Sequence, residues 1–233
     1  MSELFTSSSF SLLITIAGYL LGLKVKEKFN FPLFNPIIVG TIFVVLLLKL
    51  TGVSYVDYQS NTSILNFLLL PATIALAIPL YKQLDTFKRY RKAVLVGILT
   101  GVTLNYLIVF GYAILMNFSI EQFNSLSSKS VTTAIGMSLT DSFGGLMPLT
   151  NFSIMAAGLT GNILGPKVIE WINLKNPVAK GIALGCSSHV MGTSKAIEMG
   201  EVEGALSSLA IVLTGLITMI FMLLLNPIVV KML

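Results

Sequence analysis

The one histidine of the chain, His189, lies in the stretch Gly185-Cys186-Ser187-Ser188-His189-Val190-Met191-Gly192-Thr193-Ser194-Lys195. Imidazole titrates near neutral pH, so among hydroxyls it is a candidate to carry a proton or to donate to an anion. Thr193 adds a hydroxyl. Lys195 could pair with an anionic substrate or snorkel to an interface. Gly181 and Gly185 form a small-xxx-small pair suited to close helix contact, and Gly192 offers a helix break. The competing reading of His189 is a hydrogen-bonded structural residue.

A second constellation runs from Lys129-Ser130-Val131-Thr132-Thr133-Ala134 to Asp141-Ser142-Phe143-Gly144-Gly145. Ser130, Thr132 and Thr133 are candidate substrate ligands, and Gly144-Gly145 a helix break. Ser and Thr also bond to their own helix and help helices pack, so the hydroxyls alone do not define a site. Asp141 is a second candidate for proton coupling. An acid at membrane depth is costly and functional, an argument that lapses if it sits at an aqueous mouth. A third constellation, Leu70 to Lys82, holds Pro71 and Pro79 about Thr73. Each proline removes a backbone donor and frees a carbonyl. The segment is therefore either kinked or broken with half-helix ends facing a ligand. Thr73 joins the candidate ligands.

Enzyme chemistry finds little support. There is no H-E-x-x-H, G-x-S-x-G or Walker loop, and Cys186 is the only cysteine, so neither a metal set nor an internal disulfide is expected. Ser188 and His189 are adjacent and point to different sides of a helix, which suits them poorly to a protease pair. No cofactor is expected.

The elements that must hold these residues follow from composition. Of 233 residues, 55% are hydrophobic and 11% charged, under half the roughly 25% charge of a soluble domain. Mean hydropathy is +0.87. Soluble and disordered classes are excluded, and the net charge of +5 needs no nucleic acid to explain it. The N-terminus carries Glu3 and no basic run, so no cleaved leader is expected. Apolar segments fall near 10–23, 35–50, 63–80, 93–116, 130–146, 147–165, 179–194 and 204–230. Their continuous runs favour helices over barrel strands. The expectation is an all-α polytopic protein with about seven to eight transmembrane segments, a single membrane domain with halves 1–118 and 119–233.

Basic loops after the first, third and sixth segments belong inside by the positive-inside rule. The loops 51–62, 117–128 and 195–203, poor in positive charge, are placed outside. An odd number of crossings must then separate Asn117 from Lys167, yet two apolar segments lie between them. Segment 130–146, rich in hydroxyls and glycine, is expected to be broken or re-entrant. Ile98-Leu99-Thr100-Gly101 resembles Val212-Leu213-Thr214-Gly215. With opposite loop charges ahead of the two copies, this points to an inverted repeat of the kind secondary transporters use.

Three stretches carry a family resemblance: PATIALAIPLYKQ from Pro71 to Gln83, KSVTTAI from Lys129 to Ile135 with Gly144-Gly145 after it, and KGIALGCSSHVMGTSKAIEMGEVEGA from Lys180 to Ala205. On these the sequence resembles the LrgB/CidB family, which includes the plastid glycolate/glycerate translocator. Ser128 and Ala134 stand where the family pattern has proline, so a softer bend is expected there. The resemblance implies a multi-pass bacterial plasma-membrane protein paired with a small LrgA/CidA-like membrane protein. Bacterial members are labelled holin/antiholin-like modulators of murein hydrolase activity and autolysis. The plastid relative implies transport of small monocarboxylates of the glycolate, glycerate or pyruvate class, with proton coupling open. Expected partners are lipid, the small membrane protein, a small carboxylate and, as an open possibility, a second copy. The first functional expectation is a monocarboxylate transporter; the alternative is a regulator of lysis.

Overall fold

The computed structural model describes residues 7–29, 34, 36–75, 78, 81 and 84–233, with the backbone alone at positions 66, 69, 70, 72, 73 and 75. Among these residues the regular elements are α-helices, apart from a 3-10 residue at Phe34. Helices satisfy their own backbone groups, as an apolar solvent requires. Contacts divide the chain into two units, Met1–Ala72 and Thr73–Leu233.

In the first unit, α1 (Ser8–Phe29) packs against α2 (Pro36–Thr51). Gly18 faces Gly40 and Gly22 faces Pro36, so the two helices run antiparallel; a Cβ on Gly22 would meet the Pro36 carbonyl oxygen at 2.5 Å. Ile14, Val44 and Leu48 form the core between them. α2 ends at Gly52, whose φ of +71° gives the left-handed stop that glycine accepts without a Cβ penalty. α3 (Tyr55–Asn61) then turns away by 118°. Ser54 caps it by accepting from the Asp57 amide, and Tyr58 reaches back to Thr15 at 2.7 Å. α4 (Ser63–Ala75) follows and carries Pro71 inside the helix, without a described break.

The second unit begins with α5 (Leu84–Met116). Its backbone departs from helix at Tyr90 (φ −114°, ψ 18°), within the basic stretch Lys88–Lys92 that precedes the apolar one. Val94, Ile98, Val102, Tyr106, Val109 and Ala113 make one buried stripe, the spacing of a single helix face. Asn117, at φ 51°, ends the helix, and Ser119 with Gln122 forms a capping box that starts α6 (Ile120–Ser127). After residues 128–132 comes α7 (Thr133–Phe143), capped by Thr132 and stopped by Gly144 in the left-handed region. α8 (Met147–Trp171), α9 (Pro177–Met199) and α10 (Glu201–Val229) complete the chain.

α9 is two arms folded back on each other. The break is at Ser188 (φ −137°, ψ 17°) and His189 (φ 43°, ψ −132°). In the first arm Gly181 faces Glu203 and Gly185 faces Ser207, a parallel register with α10. In the second arm Ile197 faces Gly204 and Thr193 bonds Ser207, an antiparallel register. A Cβ on Gly192 would lie 2.4 Å from the Leu184 carbonyl oxygen, although eight helical residues would separate them by about 12 Å. The chain therefore reverses at His189.

α6 and α7 form a second, more splayed hairpin. Asn124 donates to the Phe143 carbonyl at 2.6 Å, and the Leu146 amide donates to Ser125 at 2.7 Å. Segment 130–146 holds one continuous 11-residue helix that stops at Gly144, about 16 Å long against the roughly 30 Å of a hydrocarbon core.

Among the described residues, α1, α5, α8 and α10 are long and apolar enough to cross a membrane, and the bent pair α2–α3 would make a fifth. Of the other expected segments, 179–194 turns back at Ser188 and His189, 130–146 holds an 11-residue helix, and 63–80 lies partly outside the described residues. Outward faces carry Leu46, Leu107, Phe152 and Leu223 exposed, as lipid contact permits. Loop 195–203 returns to the side of α5's start: Asp85, Arg89, Glu201 and Val202 line one hollow. The sequence reading set that loop outside, opposite Asp85. Its acidity misled the assignment, because the positive-inside rule does not weigh carboxylates.

Candidate functional site: the meeting of two hairpin tips

Both hairpins point at the middle of α5 and α8. From one, Asn105 donates its amide to the Ser127 carbonyl at 3.0 Å and its carbonyl oxygen accepts from Lys129. From the other, Cys186 sits against Gly101 and Ser188 against Gly161. A Cβ on Gly161 would fall 1.5 Å from the Ser188 hydroxyl, so only glycine admits this tip. Asn162 donates to the Met191 carbonyl at 2.8 Å and holds the second arm.

Two cavities flank the tips, of about 670 Å3 and about 690 Å3. Lys129, Ala157, Ala183 and Ser187 line both. Thr100, Asn105 and Ser130 add polar groups to the first, and Ser153, Thr160 and Ser188 to the second. The remaining walls are mostly small or apolar side chains. Such a place can bind a small polar molecule at one end through a cation and hydroxyls.

The expected site residues are spread more widely than this. Ser130 lines the first cavity beside Lys129. Thr132 is buried and caps α7 by accepting from the Ile135 amide. Thr133 is exposed at the start of α7. His189 is buried at the reversal, its Nε2 2.9 Å from the Ile154 carbonyl oxygen, a geometry in which the ring N–H donates. Thr193 is buried against Ser207 at 2.7 Å. Lys195 pairs with Glu198 at 2.6 Å on its own arm. Asp141 is exposed near the end of α7. Gly144 ends α7, Gly145 lies against Thr140 and Ser125, and Gly192 fits under Leu184. The side chain of Thr73 and the whole of Pro79 lie outside the described residues, while Pro71 is exposed.

Asn105, Lys129, Ser187 and Thr100 were not singled out as ligands from sequence. A signal for their level existed. Leu159-Thr160-Gly161 is a third copy of the Leu-Thr-Gly triplet found at Leu99 and Leu213. Each triplet glycine receives a hairpin residue: Cys186 at Gly101, Ser188 at Gly161 and Ile135 at Gly215.

Long apolar helices that enclose two half-length hairpins define a multi-pass α-helical membrane protein with a polar centre. The LrgB-like family model matches residues 15–228. The chain belongs to this family and is a multi-pass protein of the bacterial cell membrane. It is 35% identical over 215 residues to an antiholin-like protein LrgB of Bacillus subtilis, covering 92% of this chain and 93% of that one. A holin-like protein CidB of Staphylococcus epidermidis is 33% identical over 207 residues, 89% of this chain and 90% of that protein. An antiholin-like protein LrgB of Bacillus cereus is 34% identical over 212 residues, 91% and 92% of the two chains. None of these names is that of an enzyme. No solved structure matches the chain.

Proposed function

We propose that this protein is a holin/antiholin-like regulator of murein hydrolase activity and autolysis that works with a small LrgA/CidA-like membrane protein. The observation that carries the reading is its similarity to the antiholin-like LrgB of Bacillus subtilis across 92% of the chain. The cavity walls are mainly small and apolar side chains, which fits a regulator better than an autonomous aqueous pore. The test is deletion of the gene in its host, followed by detergent-induced lysis and hydrolase zymography. A changed lysis rate, restored by this chain with its partner, is the expected result. Unchanged lysis and zymograms would remove the reading.

A second reading is favoured by Lys129, a cation on one hairpin tip that lines both cavities together with Ser187 of the other. In this reading the protein is a secondary transporter of small monocarboxylates, and His189 and Asp141 are the candidates for proton coupling. The two readings are compatible, because metabolite flux can alter lysis. Uptake of labelled glycolate or pyruvate into proteoliposomes tests it, and the absence of saturable flux with and without the partner counts against it.

The arrangement proposed for either role is two hairpin-then-span units, α6–α8 and α9–α10, inserted from opposite faces. Supporting it, Asp85 lies beside Glu201 at one end of α5 and α10, and Asn117 beside Leu233 at the other. In this scheme the basic 84–92 segment and loop 172–176 are inside, and Gly144 and the C-terminus outside. Inverted units with broken helices and a central site are the common plan of secondary carriers.

A further inference from the structure

Lys129 stands out among the charged residues of the chain. Its ammonium meets the Asn105 side-chain carbonyl, and the same amide group donates to the Ser127 carbonyl at 3.0 Å, so the asparagine is fixed from both ends. Asn105 sits midway along the apolar stretch 93–116 of α5. A lysine at that depth ordinarily requires an opposite charge. Yet neither Asp nor Glu lines either cavity among the described residues. Lys195, by contrast, already has Glu198. The unmet charge is single, and hydroxyls from both hairpins line the same cavity, Ser130 from one and Ser187, bonded to Ser188 at 3.0 Å, from the other.

We infer that Lys129 anchors one small monoanion, a short-chain carboxylate, at the junction of the hairpin tips, with Ser130 and Ser187 as hydrogen-bonding partners. A dianion would leave a charge without a counterpart. A ligand held by both tips also couples two arms that have no backbone connection at this level. The identity of the anion rests on the carrier reading above; the position of the site does not.

The test uses thiol chemistry on the full chain in membranes. Cys186 is replaced by serine, and Ala183→Cys is introduced as a reporter facing both cavities. Thr100→Cys serves as a second reporter should the first fail to fold. Modification rates are measured with an anionic sulfonatoethyl and a cationic trimethylammonioethyl methanethiosulfonate. The expected result is a preference for the anionic reagent on the order of tenfold, lost in Lys129→Gln and kept in Lys129→Arg. Glycolate or pyruvate, but not the methyl ester, should slow modification only when a cation is present at 129. Equal rates for both reagents at both reporters, with or without Lys129, would overturn the site. Protection that persists in Lys129→Gln would overturn the assignment and leave the carrier reading intact. Lys129-dependent protection without uptake in proteoliposomes would support the site and remove the carrier reading.

Discussion

His189 occupies φ 43°, ψ −132°, a conformation that costs a side-chain-bearing residue about 1–3 kcal/mol. The hydrogen bond to the Ile154 carbonyl and burial against α8 over-determine it. His189→Ala keeps the strain and loses the bond, whereas His189→Gly loses the bond and relieves the strain. Thermal melts in detergent should therefore rank wild type above Gly and Gly above Ala, with roughly 1 kcal/mol between the two variants. If His189 acts only as this clamp, its substitution lowers stability without shifting the pH profile of ligand protection; a shifted profile would return it to the coupling role. At Thr193, substitution by valine keeps shape and removes the bond to Ser207, for an expected loss of about 1 kcal/mol. Lys195→Gln should cost under roughly 0.5 kcal/mol, since its pair with Glu198 is partly exposed. The sequence makes the chemical types of these residues plain. It does not disclose the partners of His189 and Thr193, because Ile154 and Ser207 lie on other elements. Glu198, three residues from Lys195 on the same arm, is the partner that helical spacing offers.

At the scale of elements, the hairpins stand on glycine contacts. Gly185 lies against the Ser207 backbone, where a Cβ would meet the carbonyl oxygen at 2.4 Å. Gly185→Ala must push α10 away and should destabilise by about 1–3 kcal/mol. Measured as a thermal shift, that loss should exceed the loss from Gly111→Ala, since a Cβ on Gly111 meets no atom within 4 Å. Gly181 and Gly185 were legible as a packing pair from spacing alone, and so was a helix end at Gly144. The reversal of α9 was not legible. Each of its arms satisfies its own backbone hydrogen bonds, so the composition of a straight span and of a folded-back pair can be the same. At Pro71 the described backbone stays helical, and Pro79 lies outside the described residues.

For the whole molecule, the doubled-back α9 predicts the sidedness of its ends. Cysteines placed at 85 and 201 should label from the same face of the membrane, because those positions line one hollow. Cysteines at 117 and 232 should label together from the other face. Labelling of 85 and 201 from opposite faces would restore a straight α9 and dissolve the meeting of the tips.

By itself the sequence determined that the chain lives in lipid, that it is helical, which family it belongs to and where hydroxyls, glycines and cations concentrate. These follow from summed transfer preferences and local propensities, which each stretch carries without reference to its neighbours. Only the tertiary structure decided that Lys129 and Ser187, far apart in sequence, line the same two cavities, while His189 and Lys195 are taken up by other contacts. That choice depends on which small residues on α5, α8 and α10 leave room for a tip. Such room is a property of the packed second unit, since a glycine admits a neighbour only where the fold delivers one.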